Sequence, residues 1–263
     1  MTLTSAQLAA WLGQFLWPLL RIGAALSVMP VLGSRMLPRR VRAATALVLS
    51  ALCAGLAPPM PALEPLSPAG LLTAVQQVLI GLFMGYALRV AFSALETGGQ
   101  VIALQMGLSF ASLVDPQNGA QQPLLGSFYN LLGMLIFLGL DGHLILLRML
   151  VESFHTLPVA PDALSREMLR TLPAFGARIF AGAVLVALPA MASLTVVNLA
   201  FGVMSRAAPQ LNIFAVGLPV TLLLGLAILL YSLPALLPQF RLLLEDAFAL
   251  AGALAGVAAG EGG

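Results

Sequence analysis

The sequence contains no lysine: all twelve of its basic residues are arginines, set against ten acidic residues and two histidines in 263 positions. A formal charge of +2, scattered along the chain, excludes the concentrated basic face that nucleic-acid binding requires. The single cysteine, Cys53, excludes an internal disulfide and a cysteine metal cluster. His143 and His155 have no H-E-x-x-H setting, and Asp141 and His143, two residues apart, point to different faces of a helix. GLSFA (107–111) departs from a G-x-S-x-G nucleophile turn by one residue, and no phosphate loop or dinucleotide fingerprint occurs. The chain therefore reads as a non-enzyme without cofactor or metal. Charge of either sign is scarce as well: 8% of residues carry it, where soluble domains hold about a quarter.

What fills the chain instead is apolar surface, 60% of residues, more than an ordinary globule can bury. The expected class is an all-α integral membrane or membrane-complex protein. The N-terminus has no basic stretch before Arg21, so a cleaved signal peptide is not expected. About six long apolar helices are expected, near 8–32, 43–57, 70–95, 124–151, 179–203 and 211–237, together with shorter helices and a central loop. All but the second reach the roughly 20 residues of a spanning helix. Helix-breaking chemistry marks the connectors GSRMLPRRVR (33–42), PPMPALEPLSP (58–68) and LPVAPDALSREMLRTLP (157–173). Beyond Pro238, RLLLEDAFALAGALAG reads as a separate interfacial or docking helix. One helical unit over 1–250 and a flexible low-complexity tail over 251–263 complete the expected organisation. Arg35, Arg39, Arg40 and Arg42 favour a cytoplasmic first connector, but Arg166, Arg170 and Arg178 pull the other way, so orientation stays open.

Polar residues fall inside most of the apolar runs. Arg21 lies near the centre of the first, Gln76 and Gln77 in the third, Asp141 and His143 in the fourth, Thr195 and Asn198 in the fifth. A central arginine costs about 2.5–3.5 kcal/mol even on lenient insertion scales. Their distribution implies helices that face protein or water rather than lipid. Gly81-x-x-x-Gly85 offers a flat strip for close approach of another backbone. SRAAPQLNIF (205–214) places Arg206, Pro209, Gln210 and Asn212 between the last two runs, either as a plain turn or as a hydrogen-bonding junction. QMGLSFASLVDPQNGAQQP (105–123) joins a deformable apolar half to an uncharged polar loop. Irregular backbone at membrane depth needs protein or an aqueous cavity around it, so this stretch is a candidate pore element or an ordinary exposed loop.

FLWPLLR (15–21), PRRVR (38–42), QQVLIGLFMGYALRVAF (76–92), QMGLSFASLVDP (105–116), DGHL (141–144), ESFHTLP (152–158) and APQLNIFAVGLP (208–219) occur in order along nearly the whole chain. With these blocks the chain resembles the FliR family of flagellar biosynthetic proteins and, more distantly, its injectisome counterpart SctT. The resemblance implies a structural and gating subunit of the flagellar type III export gate. Its implied partners are FliP and FliQ, with FlhB, together with unfolded export substrates and membrane lipid. The implied location is the bacterial inner membrane within the flagellar basal body. It also implies a pore plug: Met106, Gly107, Leu108, Phe110, Leu113, Asp115 and Pro116, with the apolar members as stopper and Gly107 and Gly119 permitting movement. Arg21, Gly81, Gly85, Arg206, Pro209, Gln210 and Asn212 are the candidates for assembly and helix packing. The alternatives are an injectisome subunit and a small-molecule transporter, the latter disfavoured by the absence of an inverted repeat.

Overall fold

The computed structural model describes residues 5–33, 37–58, 60–61, 63–108, 124–161, 163–208 and 213–256. Among them every regular element is helical: α1 (Ser5–Val28), a 3-10 turn (Val31–Gly33), α2 (Arg39–Leu56), α3 (Pro68–Gln105), α4 (Leu124–Gly139), α5 (Gly142–Thr156), α6 (Arg166–Gly176), α7 (Arg178–Ala207) and α8 (Ile213–Leu254). The chain forms two compact units. The first holds residues 1–90, 137–176 and 244–263; the second holds 91–136 and 177–243.

Local chemistry sets several helix starts. The Ser67 hydroxyl accepts the Gly70 N–H at 3.1 Å and Pro68 takes the first helical position, so α3 begins on a capped, proline-primed turn. Ser165 accepts the Met168 N–H at the start of α6, a short helix inside what composition marked as a connector.

Three stretches among the described residues are long and apolar enough to cross a membrane: Pro68–Gln105, Arg166–Ala207 and Gly217–Leu254, or four if the bent pair α4–α5 counts as one. This corrects the expected five. Gln14 and Arg21 lower the hydropathy of α1, which is not among them, and α2 opens on Arg39, Arg40 and Arg42. The fourth apolar run is not one helix either, because α4 and α5 meet at a 66° bend. Asp141 there adopts φ 54° and ψ 23°, a left-handed conformation that Asp tolerates better than most residues. Its backbone carbonyl then accepts the Leu144 and Ile145 N–H groups that start α5. Asp141 is exposed at this corner rather than lodged within a span.

Two further expectations change. Pro238 does not end a helix: α8 runs unbroken from Ile213 to Leu254 with Pro219, Pro234 and Pro238 inside it. An interior proline costs about 3 kcal/mol, so packing must hold the helix together. Phe240 and Ala247, just beyond Pro238, are fully buried, and Leu244 nearly so. The helix also continues into the start of the segment read as a tail, where Ala251, Leu254 and Ala255 are buried and Thr156 donates a hydrogen bond to the Ala255 carbonyl.

In the first unit α1 and α3 pack backbone to backbone. A side chain at Gly81 would overlap the Arg21 carbonyl, and one at Gly85 would come within 2.7 Å of the Ala25 carbonyl. The four-residue step Gly81/Gly85 thus runs along the four-residue step Arg21/Ala25, with both helices pointing the same way. Gly81→Ala should destabilise the purified protein by about 1–3 kcal/mol, the usual range for overpacking, and lower its thermal midpoint in detergent. Gly23→Ala and Gly55→Ala, where nothing lies within 4 Å of the added methyl, should leave the midpoint unchanged.

Candidate functional site

The second half of α3 ends in a built stop. The Gly107 N–H donates to the Leu104 carbonyl and the Leu108 N–H to the Ala103 carbonyl, both at 3.1 Å. This paired closure requires a left-handed residue after the helix, and Gly107 supplies it with φ 78°. Met106, just before the turn, is 4% exposed. Its thioether chain occupies the space that any side chain at Gly225 of α8 would need. On α7 the Asn198 amide donates to the backbone and side-chain oxygens of Gln105, at 3.3 and 3.4 Å, and so serves one of the carbonyls that a helix end leaves free. The start of the 105–123 stretch is therefore anchored to α7 and α8 within the second unit.

Of the plug candidates, Met106, Gly107 and the half-buried Leu108 lie at this anchor. Phe110, Leu113, Asp115 and Pro116 lie outside the described residues, as do Pro209, Gln210 and Asn212. Arg206 is exposed in the last turn of α7, where positive charge suits the negative end of the helix.

Arg21, Gly81 and Gly85 come together in the first unit. Arg21 is fully buried. Its Nε donates to Gln77 Oε1 at 2.8 Å, Nη1 to the Ser153 carbonyl at 2.8 Å and to Ser153 Oγ at 3.0 Å, and Nη2 to the Leu157 carbonyl at 3.0 Å. The guanidinium lies 4.2 Å from the centroid of the Phe154 ring. Every acceptor is uncharged. Two of them, the Ser153 and Leu157 carbonyls, belong to the end of α5, whose negative pole replaces the missing carboxylate. Burial pushes the Arg21 pKa down to about 9, so the group stays charged at neutral pH. Beside it, Gln76 donates to the Pro161 carbonyl and accepts the Ala163 N–H at 3.0 Å, holding the strand of chain that follows α5. The adjacent glutamines of α3 thus serve two different neighbours.

One feature escaped the sequence reading. In the second half of α3 the polar side chains Ser93, Glu96, Thr97 and Gln100 share one face and are each partly exposed. Phe92, Leu95, Gly98, Gly99, Ile102 and Met106 make up the buried side. The signal was present as a polar recurrence at helical spacing, and averaging hydropathy over the whole helix erased it.

These features define an all-α protein with membrane-crossing helices and no assembled catalytic constellation among its described residues. The chain belongs to the bacterial export proteins, family 1, whose family model matches residues 12–247. It is 39% identical over 249 residues to the flagellar biosynthetic protein FliR of Escherichia coli strain K12, covering 94% of each chain. It is 36% identical over 250 residues to FliR of Pectobacterium carotovorum, covering 95% of each, and 30% identical over 249 residues to FliR of Buchnera aphidicola from Acyrthosiphon pisum, covering 94% of this chain and 95% of that one. It is thus a FliR-family protein of the flagellar export apparatus, embedded in a membrane.

Replacing Arg21 by Ala removes the guanidinium donors from four acceptors, Gln77 Oε1, the Ser153 carbonyl and Oγ, and the Leu157 carbonyl; a buried acceptor left unsatisfied costs about 1–3 kcal/mol. Arg21→Ala should therefore lower the thermal midpoint sharply, with the protein still recovered from the membrane fraction. Arg21→Lys should recover only part of the loss, because an ammonium cannot reproduce the planar fork. Equal midpoints for wild type and Arg21→Ala would contradict this account.

Proposed function

We propose that the chain is a structural and gating subunit of the flagellar type III export gate. On this reading it assembles with FliP and FliQ, and with FlhB alongside, in the bacterial inner membrane at the flagellar basal body. The stretch after Gly107 plugs the channel and yields to unfolded export substrates.

The observation that carries the gating part is the anchored end of α3. A plug must be fixed at its root and free to change beyond it. Met106 seated on Gly225 and the Asn198–Gln105 bonds supply the root. Gly107, in a conformation that glycine adopts without penalty, sets the direction in which the chain leaves the helix. The sequence beyond it supplies Phe110 and Leu113 as apolar bulk and Asp115-Pro116 as a turn. An apolar constriction blocks ions by excluding water and still gives way to a polypeptide of any sequence.

Removal of residues 108–113 should raise ion conductance through complexes co-purified with the partner subunits and reconstituted in planar bilayers, without loss of co-purification. Unchanged conductance in fully assembled complexes would defeat the plug. Recovery of a stable, active unit from this chain expressed alone would favour a self-contained transporter instead.

A further inference from the structure

Three buried side-chain nitrogens make no hydrogen bond among the described residues: Trp17 Nε1, Gln77 Nε2 and His143 Nδ1. Trp17 on α1 and Gln77 on α3 are fully buried, whereas His143 is not. Both of the fully buried groups are donors. An indole nitrogen can only donate. The orientation of Gln77 follows from Arg21: a guanidinium has no acceptor, so the atom that takes its Nε proton at 2.8 Å must be Oε1, and the NH2 group points elsewhere. Neither donor can therefore satisfy the other.

The two lie on facing positions. α1 and α3 run in the same direction, with Gly81 against Arg21 and Gly85 against Ala25, and one four-residue step earlier that register pairs Gln77 with Trp17. Side chains on a helix lean toward its N-terminus, which carries both heads toward the level of Gly13. An acceptor is at hand there. A side chain at Gly13 would place its first carbon 2.9 Å from Trp17 Nε1 and 3.3 Å from the Pro61 carbonyl. Gly13 is itself buried and brings no side chain into the corner between them. The Pro61 carbonyl accepts the Leu63 N–H at 2.8 Å and keeps a second lone pair.

From these groups we infer a binding site for one structural water, bounded by Gly13 and Trp17 of α1, Pro61 of the connector and Gln77 of α3. The water accepts from Trp17 Nε1 and Gln77 Nε2 and donates to the Pro61 carbonyl, which gives it the roughly three hydrogen bonds that buried waters make. Two buried donors without any acceptor would be a rare arrangement in a folded protein. An anion would meet the same donors, but it could not donate to Pro61, and its charge would face that carbonyl oxygen. The water ties the N-terminal helix, the connector before α3 and α3 itself at one corner, a single turn from Arg21.

Thermal midpoints of the full chain in detergent test the site. Gly13→Ala and Gly13→Ser both crowd the corner and displace the water, but only serine brings an oxygen able to take the indole proton. Alanine is the better helix former, so propensity and packing alone would make Gly13→Ala the more stable of the two. The site predicts the reverse, with Gly13→Ser melting at least about 2 °C higher. Equal midpoints, or a higher one for alanine, would overturn it. A second measurement leaves the site intact. Trp11 is 64% exposed, and Trp11→Phe makes Trp17 the only tryptophan. Its indole N–H should then show a nuclear Overhauser peak to a long-lived water. An indole resonance without that peak would overturn the site even if neither Gly13 variant folds. A midpoint that moves when chloride is exchanged for a bulkier anion at constant ionic strength, in wild type and not in Trp17→Phe, would assign the corner to an anion and overturn the water.

Discussion

A buried guanidinium with no carboxylate beside it holds the first unit together. Arg21 reaches α3 through Gln77 and the end of α5 through the Ser153 and Leu157 carbonyls, more than 130 residues away. A helix end buried in protein has carbonyls that need donors, and a buried arginine has donors that need acceptors. Each satisfies the other, and the negative pole of α5 supplies the charge complementarity. A buried ion pair would have brought a second charge out of water and added its own desolvation penalty. The close passage of α1 along Gly81 and Gly85 follows from the same arrangement, since only glycine there lets the backbone of α1 approach at the Arg21 level.

α3 contributes to both units and changes character along its length. In its first half the polar residues Thr73, Gln76 and Gln77 are buried and bonded within the protein. In its second half the polar residues Ser93, Glu96, Thr97 and Gln100 are partly exposed, Gly98 packs on α7, Gly99 packs on α4, and the Gln100 side chain lies against Gly126 of α4. One helix, uniformly apolar by average, thus carries two opposite solutions to the problem of placing polar groups in a membrane-type protein. In the first, hydrogen bonds fix neighbouring backbone; in the second, polar side chains stay at the partly exposed edge of a close helix contact.

Much of this was legible in the sequence and some was not, for identifiable reasons. The all-helical class follows from composition and periodicity. Arg21 and Gln77 are visible as polar residues in apolar runs, but backbone carbonyls carry no signature, so the partnership with α5 could not be read. Asp141-Gly142 is a turn signal that a hydropathy window smooths over; a single left-handed residue is enough to bend the path by 66°. Pro238 misled in the opposite sense. A proline removes one hydrogen bond and crowds one turn, but the burial of Phe240, Leu244 and Ala247 outweighs that local cost. Glycine spacing was informative at 81 and 85 because the motif states a geometric need. It could not name the partner, which the structure identifies as α1.

The proposed gate places contrasting demands on neighbouring parts of an export path. A seal works by being dry, with apolar groups close enough to exclude a water column; a conduit works by being wet, so that a moving chain never leaves its hydrogen bonds unmet. Joining the two in one segment requires a sharp boundary. The end of α3 has the means to provide it: Met106 is seated on Gly225, and Gly107 closes the helix in a left-handed turn. A change beyond Gly107 then need not disturb α3, because Met106 and the Asn198 bonds to Gln105 hold the helix end in place. A plug rooted in this way can open by rearranging a short stretch, without unpacking α3 from α7 and α8.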